Sequence, residues 1–444
     1  MLDTVRNAFK IKDIRNKLMF TFVALLIVRL GSQLPLIGVD RDAVATLFSN
    51  SNPLSFFDAL TGGSFMNFSI FALNISPYIT ASIIMQLLTI AIPALEEMQK
   101  DGEDGRKKIA TYTRYMTIVL AIIEGTAMAI GFGRQGVLDL NGFTDYIVVI
   151  ASLTAGSAFL MWLGEKITDR GVGNGISIIL LINITSKIPD DMVSLWNQYI
   201  VANTNVVNKI IAGVVIIAVI VLMVYFINIL NGGERKIPVQ YAKKVQGRKM
   251  VGGQSSHIPL KVNTAGVIPV IFASSLMNFP ILIASFFGVS AASGVGASFG
   301  QKMLKMLSTN AWFNFKSPSE FKYTIGLLIY IVLLIFFAYF YTTITFNPME
   351  VSNNMKKQGG FIPGIRPGKP TTDFLTKVLN NIVFIGAIGL AIVAVIPIFF
   401  QGAFNAQVSF GGTSLIIIVG VVLETMKQIE SQMLVRHYKG FLND

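Results

Sequence analysis

Side chains able to make or break bonds are few and scattered in this 444-residue sequence. It has no cysteine and two histidines, His257 and His437. Neither histidine has a second histidine or an acidic cluster beside it, and a metal site needs several converging ligands. No serine or threonine has the neighbours of an activated nucleophile. No Walker-type phosphate loop is present, so ATP hydrolysis by the chain itself is not expected. Its energy should come from a partner or an ion gradient. "DRGVGNGISIILLIN" (169–183) spaces three glycines like a nucleotide-binding turn. No strand precedes it and no βαβ unit surrounds it, so it reads as a tight loop capping a helix. Neither a catalytic centre nor a cofactor is expected.

The remaining reactive types are charges, and a few lie in apolar surroundings. Arg29, Glu124 and Glu424 each fall within a long apolar run, where a charge is functional, paired, or placed to reach the interface. The basic residues cluster in two loops. One, 231–264, carries "KIPVQYAKKV", which alternates as a strand does. The other, 346–377, carries "GGFIPGIRPGKP" (359–370), where closely spaced Pro and Gly residues frame Arg366. Proline and glycine at this density set fixed turns rather than plain disorder. A shaped, positively charged turn suits anionic lipid, nucleic acid or an acidic protein surface; the shape favours a macromolecule.

These loops must be positioned by membrane helices. The chain is 53% hydrophobic and 14% charged, with a net charge of +12, whereas soluble domains carry about 25% charged residues. Ten apolar segments are candidate spans: 18–37, 73–93, 112–132, 146–164, 174–192, 209–230, 265–287, 322–345, 378–400 and 411–430. With the N-terminus inside, most of the 36 Lys and Arg residues fall on the cytoplasmic side, which predicts that both termini are cytoplasmic. The polar start "MLDTVRNAFKIKDIRNK" does not resemble a signal peptide. Ser76-Pro77 predicts a break after a short half-helix over about 64–73. Ten spans would divide into inverted halves of five. A small-solute transporter should show paired breaks and ionisable midplane groups; one break and few buried charges argue against it.

Six stretches, in order, resemble the SecY family of bacterial protein-conducting channel subunits. They are "ISPYITASIIMQLL" (75–88), "GEDGRKKIATYTRY" (102–115), "MWLGEKITDRGVGNGISI" (161–178), "YAKKVQGRKMVGGQSSHIPLKVNTAGVIPVIFASS" (241–275), "FNPMEVSNNMKKQGGFIPGIRPGKPT" (346–371) and "GGTSLIIIVGVVLETMKQIESQ" (411–432). The resemblance implies an all-α membrane protein of ten transmembrane helices in two pseudo-symmetric halves, 1–200 and 201–444, with a short plug half-helix and two long cytoplasmic loops. It implies a channel, not an enzyme, in the bacterial plasma membrane. The channel would carry unfolded secretory polypeptides across and release membrane helices sideways into lipid.

Carried over by motif position, the apolar pore ring is Ile75, Ile79, Leu180, Ile271 and Ile417. The plug is Ser64, Phe65, Met66, Asn67, Phe68 and Ser69, and Thr80 and Phe279 line the lateral gate. Arg235, Arg248, Lys249 and Arg366 are the docking residues for the SecA ATPase or a translating ribosome. The implied partners also include SecE-like and SecG-like small subunits, signal sequences and membrane lipid. Two departures stand out: Asn74 where the family usually has glycine, and a rather apolar "SFMNFS" at the plug.

Overall fold

A computed structural model describes residues 2–39, 58, 61–134, 136, 138, 142–201, 206–241, 244–246, 249–251, 255–286, 289, 298–308, 311–313, 318–404 and 412–440. In chain order its helices are α1 (Leu2–Lys10), α2 (Lys12–Gly31), α3 (Ser76–Ala91), α4 (Pro93–Lys100), α5 (Glu103–Arg134), α6 (Phe143–Arg170), α7 (Gly175–Leu195) and α8 (Val206–Gly232). They continue with α9 (Ile268–Phe286), α10 (Phe299–Leu307), α11 (Ile325–Thr345), α12 (Pro348–Lys357), α13 (Lys369–Phe404) and α14 (Gly412–Gly440). Every candidate apolar segment is met by one of these helices.

Long apolar runs form helices because a helix satisfies its own backbone polar groups without water. Among the described residues, five helical stretches are each long and apolar enough to cross a bilayer. A sixth candidate is the pair α3 and α4, bent by 100° where Pro93 starts the second helix. Others carry charges that dilute them: Lys187, Asp190 and Asp191 in α7, and Glu424, Lys427 and Glu430 in α14. Large apolar side chains stay exposed at helical spacing, such as Val214, Ile217, Val221 and Tyr225 on α8 and Leu328, Val332 and Phe336 on α11. Such stripes are what a lipid-facing helix presents.

The core is split. Phe65, Phe68, Phe132 and Leu153 centre one apolar cluster, between the 61–75 segment, α5 and α6. Val270, Met277, Tyr330, Leu334, Leu390 and Ile416 belong to another, between α8, α9, α11, α13 and α14. A third cluster joins elements from both parts of the chain, with Ile75 and Ile179 packed beside Ile417 and Val421.

The chain is not purely helical. Strands β1 (Glu234–Tyr241), β4 (Ser255–Lys261) and β5 (Gly360–Phe361) form an antiparallel sheet in the order β4-β1-β5, and β2 (Lys244–Gln246) and β3 (Lys249–Val251) form a hairpin. The expected alternation is present: Ile237 and Val239 are buried while Lys236, Pro238 and Gln240 are exposed. Pro238 has no amide to donate, but β5 pairs only at Gln240 and Tyr241, so Pro238 lies where the other edge carries no strand.

Candidate functional site

Four of the five predicted ring residues meet. Ile75 and Ile417 are buried in the third cluster, and Ile79 and Ile271 pack against it. They come from α3 and the residue before it, from α9, and from α14. Leu180 is buried but lies outside that cluster, although its neighbours Ile179 and Leu181 belong to it. Successive residues on a helix point about 100° apart, so Leu180 faces a different direction from either neighbour. The phase of α7 is set at its start, where Asn174 Oδ1 accepts from the amides of Ile176 and Ser177 at 3.1 and 3.4 Å. This is the helix cap expected of the Gly-rich motif.

Just before α3, the predicted half-helix is instead a run of turns, 62–75. Gly62 and Gly63 have φ of +65° and +88°, Phe68 +44° and Asn74 +50°. These left-handed positions interrupt any right-handed helix. Ser76-Pro77 starts α3 rather than interrupting it, with proline in the first turn. The segment is pinned at both faces. The Leu36 amide donates to the Phe68 carbonyl at 2.8 Å, and the Ile70 amide to the Leu34 carbonyl at 3.1 Å. Phe68 is fully buried, its ring 4.6 Å from that of Phe132 and perpendicular to it. Phe65 meets the same Phe132 ring edge-on at 6.0 Å. On the polar side, Asp58 pairs with Lys187 at 2.6 Å and also accepts from the Met66 amide at 2.9 Å. Arg29 Nη1 donates to the Gly62 carbonyl at 2.9 Å. The charge inside the first apolar segment therefore serves the backbone of the turn region.

Thr80 and Phe279 sit on α3 and α9. The Thr80 hydroxyl donates to the Ser76 carbonyl of its own helix at 3.1 Å, and Phe279 is 40% exposed. α3 packs chiefly on α5, and α9 chiefly on α11. The two helices thus belong mainly to different packing groups.

The two basic loops are joined. β5 comes from the 346–377 loop and pairs with β1 of the 231–264 loop. Ile237, Val239 and Leu260 share an apolar cluster with Met355, Ile362, Leu375 and Leu379. Arg366 is exposed on the turn that follows. Gly364 and Gly368 have φ of +82° and +100°. The Gly368 carbonyl accepts from the Ser352 hydroxyl at 3.0 Å, and the Arg366 carbonyl accepts from Thr371 Oγ1 at 2.8 Å. Arg235 is exposed on β1, opposite Leu260 of β4. Lys249 begins β3, while Arg248 lies outside the described residues. Among the described residues, no group of three or more His, Cys, Asp or Glu could hold a metal ion.

The chain and its helical fold match known proteins. A family profile described as SecY matches residues 69–426. The chain belongs to the SecY family. It is 43% identical to "Protein translocase subunit SecY" of Halalkalibacterium halodurans, over all of both chains. The solved structure of "a protein conducting channel" superposes with a TM-score of 0.65 at 20% identity, over 95% of this chain and 93% of the other. Sec61 in the canine ribosome-channel complex from the endoplasmic reticulum superposes with a TM-score of 0.63 at 18% identity, over 95% and 93%. The chain is thus a multi-pass membrane protein and a channel subunit of a protein translocase, not an enzyme.

Within a SecY-family frame, both departures have physical explanations. Asn74 holds a φ of +50°, a conformation open to glycine and, among other residues, best tolerated by asparagine. The apolar "SFMNFS" places Phe65 and Phe68 in the aromatic cluster with Phe132. Sequence reasoning missed Asp58, Lys187 and Phe132. Asp58 is a single acid among apolar and small residues, and Lys187 lies in "TSKIPDD", which reads as the polar end of a helix. Nothing local marks them, because their partners lie far away along the chain.

Proposed function

We propose that the four clustered isoleucines, completed by Leu180, form the apolar constriction of a channel for unfolded polypeptide. The observation that supports this most directly is the junction of Ile75, Ile79, Ile271 and Ile417 from helices of both parts of the chain. An apolar constriction excludes water and ions, yet flexible side chains can part around a passing chain. Segment 64–69 is the plug that closes the outer funnel. Residues 1–200 and 201–444 act as two pseudo-symmetric halves of five spans each. They separate along Thr80 and Phe279 to admit signal sequences and release apolar segments into lipid. That α3 and α9, which carry Thr80 and Phe279, pack chiefly on other helices supports that reading.

Arg235, Arg248, Lys249 and Arg366 lie on the joined cytoplasmic loops and dock the SecA motor or a ribosome. A ribosome partner is favoured by the likeness to ribosome-bound Sec61. Small SecE-like and SecG-like subunits and anionic lipid complete the assembly. Both termini lie in the cytoplasm of a bacterial cell, with the channel in its plasma membrane.

The absence of cysteine permits a clean test. Single cysteines at positions 79 and 271 should crosslink to a secretory polypeptide arrested in transit through reconstituted vesicles, and a cysteine at the lipid-facing Val221 should not. Equal crosslinking at all three positions would overturn the pore assignment.

A further inference from the structure

The turn region beside the waist is held by a polar clamp as well as by aromatic packing. One carboxylate is its centre. Asp58 Oδ2 pairs with Lys187 Nζ of α7 at 2.6 Å, the two side chains being 5% and 18% exposed. Asp58 Oδ1 accepts from the Met66 amide at 2.9 Å. A single side chain therefore binds a helix of the channel wall with one oxygen and the turn region with the other. Around it, the Thr61 hydroxyl donates to the Asp58 carbonyl at 3.2 Å, and the Phe65 amide donates to that same hydroxyl at 3.2 Å. From the opposite side, Arg29 of α2 donates to the Gly62 carbonyl at 2.9 Å. Gly62 presses so closely on α7 that a Cβ there would strike the Asn183 backbone. Asp190 of α7 is an electrostatic neighbour of Arg29.

We propose that Asp58 and Lys187 form a latch, steadied by Arg29, that holds segment 61–69 against α7 and sets how readily the channel leaves its closed state. This rests on the reading of 64–69 as a plug. The physics gives the latch two states. When the segment is seated, the pair is largely dry; an ion pair there is strong, and losing one partner strands a charge. When the segment leaves, water enters the funnel and hydrates both groups. Desolvation is then repaid, so little force draws the segment back. Such a contact resists small displacements and releases as a unit, unlike the graded loss of apolar contact at Phe65 and Phe68. Asp58, Lys187 and Arg29 are positioning residues: they hold the segment and do not touch the passing polypeptide.

Passive potassium efflux from vesicles containing the purified translocase complex tests the latch. Asp58→Asn keeps an oxygen for the Met66 amide and removes only the charge; Lys187→Met keeps the apolar stem. Each should raise resting efflux about tenfold, without lowering efflux during polypeptide transit. The double variant should leak no more than either single variant, because the two residues form one contact. Effects that multiply in the double variant would overturn the pairing. A complex lacking 64–69 separates the two ideas. If it leaks no more than the unaltered complex, the plug reading fails and the latch fails with it. If it leaks while both single variants stay tight, the latch alone is overturned. Melting of each complex is followed in parallel. A variant that leaks only because it unfolds also loses transport, which counts against the latch.

Discussion

The ring of Phe68 stands perpendicular to that of Phe132, with centroids 4.6 Å apart. This pair joins the turn region to α5 within a cluster that also includes Leu36, Phe65, Met128 and Leu153. Edge-to-face rings add about 0.5–1.5 kcal/mol beyond the area they bury. The pair fixes where the turn region sits, independently of the polar contacts on its other side.

Replacing Phe68 with alanine should therefore cost about 3–5 kcal/mol of local stability, the usual range for emptying a buried aromatic site. Phe132→Ala should act in the same direction, and the two together should cost less than their sum. Proteolysis of the 61–75 segment in the purified complex measures this. Unchanged protection in both variants would mean that the rings do not seat the segment.

At the proposed constriction, Ile271→Asn should raise ion conductance by about tenfold or more, since an amide offers water the partners an isoleucine denies it. Ile271→Leu keeps volume and polarity and should leave conductance near its original level. Single-channel recording of the reconstituted complex separates the two. A tight Asn variant would place the seal elsewhere along the pore.

Much of this arrangement was legible in the sequence, and the reason differs from part to part. Apolar runs announce helices wherever they occur, because a membrane helix is a local solution to a local constraint. Strand β1 was visible in "KIPVQY" since burial alternates on one element. The half-helix over 64–73 was misread. Left-handed residues override a helix there, and Phe68, one of them, is seated against Phe132. The pairing of β5 with β1, and of Asp58 with Lys187, joins residues more than a hundred positions apart. No pattern within one segment encodes such a contact. Leu180 shows a finer limit: a motif fixes position on the chain, whereas the direction of a side chain depends on the phase of its helix.

Asn74 tests the backbone argument directly. Its φ of +50° costs most residues about 1–2 kcal/mol and glycine almost nothing. Asn74→Gly should thus preserve stability and a tight resting channel. Asn74→Val, β-branched and unable to adopt this conformation cheaply, should lower the melting point and loosen the junction of the turn region with α3. Thermal melting of the complex, followed by ion efflux, distinguishes these outcomes. Equal behaviour of the two variants would show that the left-handed conformation is not maintained.

The turn around Arg366 combines charge with shape, and two substitutions separate these contributions. Arg366→Glu reverses the charge of an exposed side chain, so folding should be unaffected. Motor-driven translocation should fall at least about tenfold, as reversed charges at an interface add repulsion to lost attraction. Gly368→Val keeps the arginine and attacks its frame. The φ of +100° is open to glycine and strained for a β-branched residue. That residue's carbonyl is the acceptor for Ser352 of α12, so strain there disturbs the link between α12 and the turn. If the partner reads a shaped surface, Gly368→Val should impair translocation nearly as much as Arg366→Glu, with weaker motor binding in both. Normal translocation by Gly368→Val would reduce the loop to a point charge. Arg366→Lys supplies the third comparison: lysine keeps the charge but lacks the planar, forked donor set of arginine. A lysine variant with full activity would likewise show that only charge is read, whereas a strong loss would mean that the partner is gripped through the arginine fork.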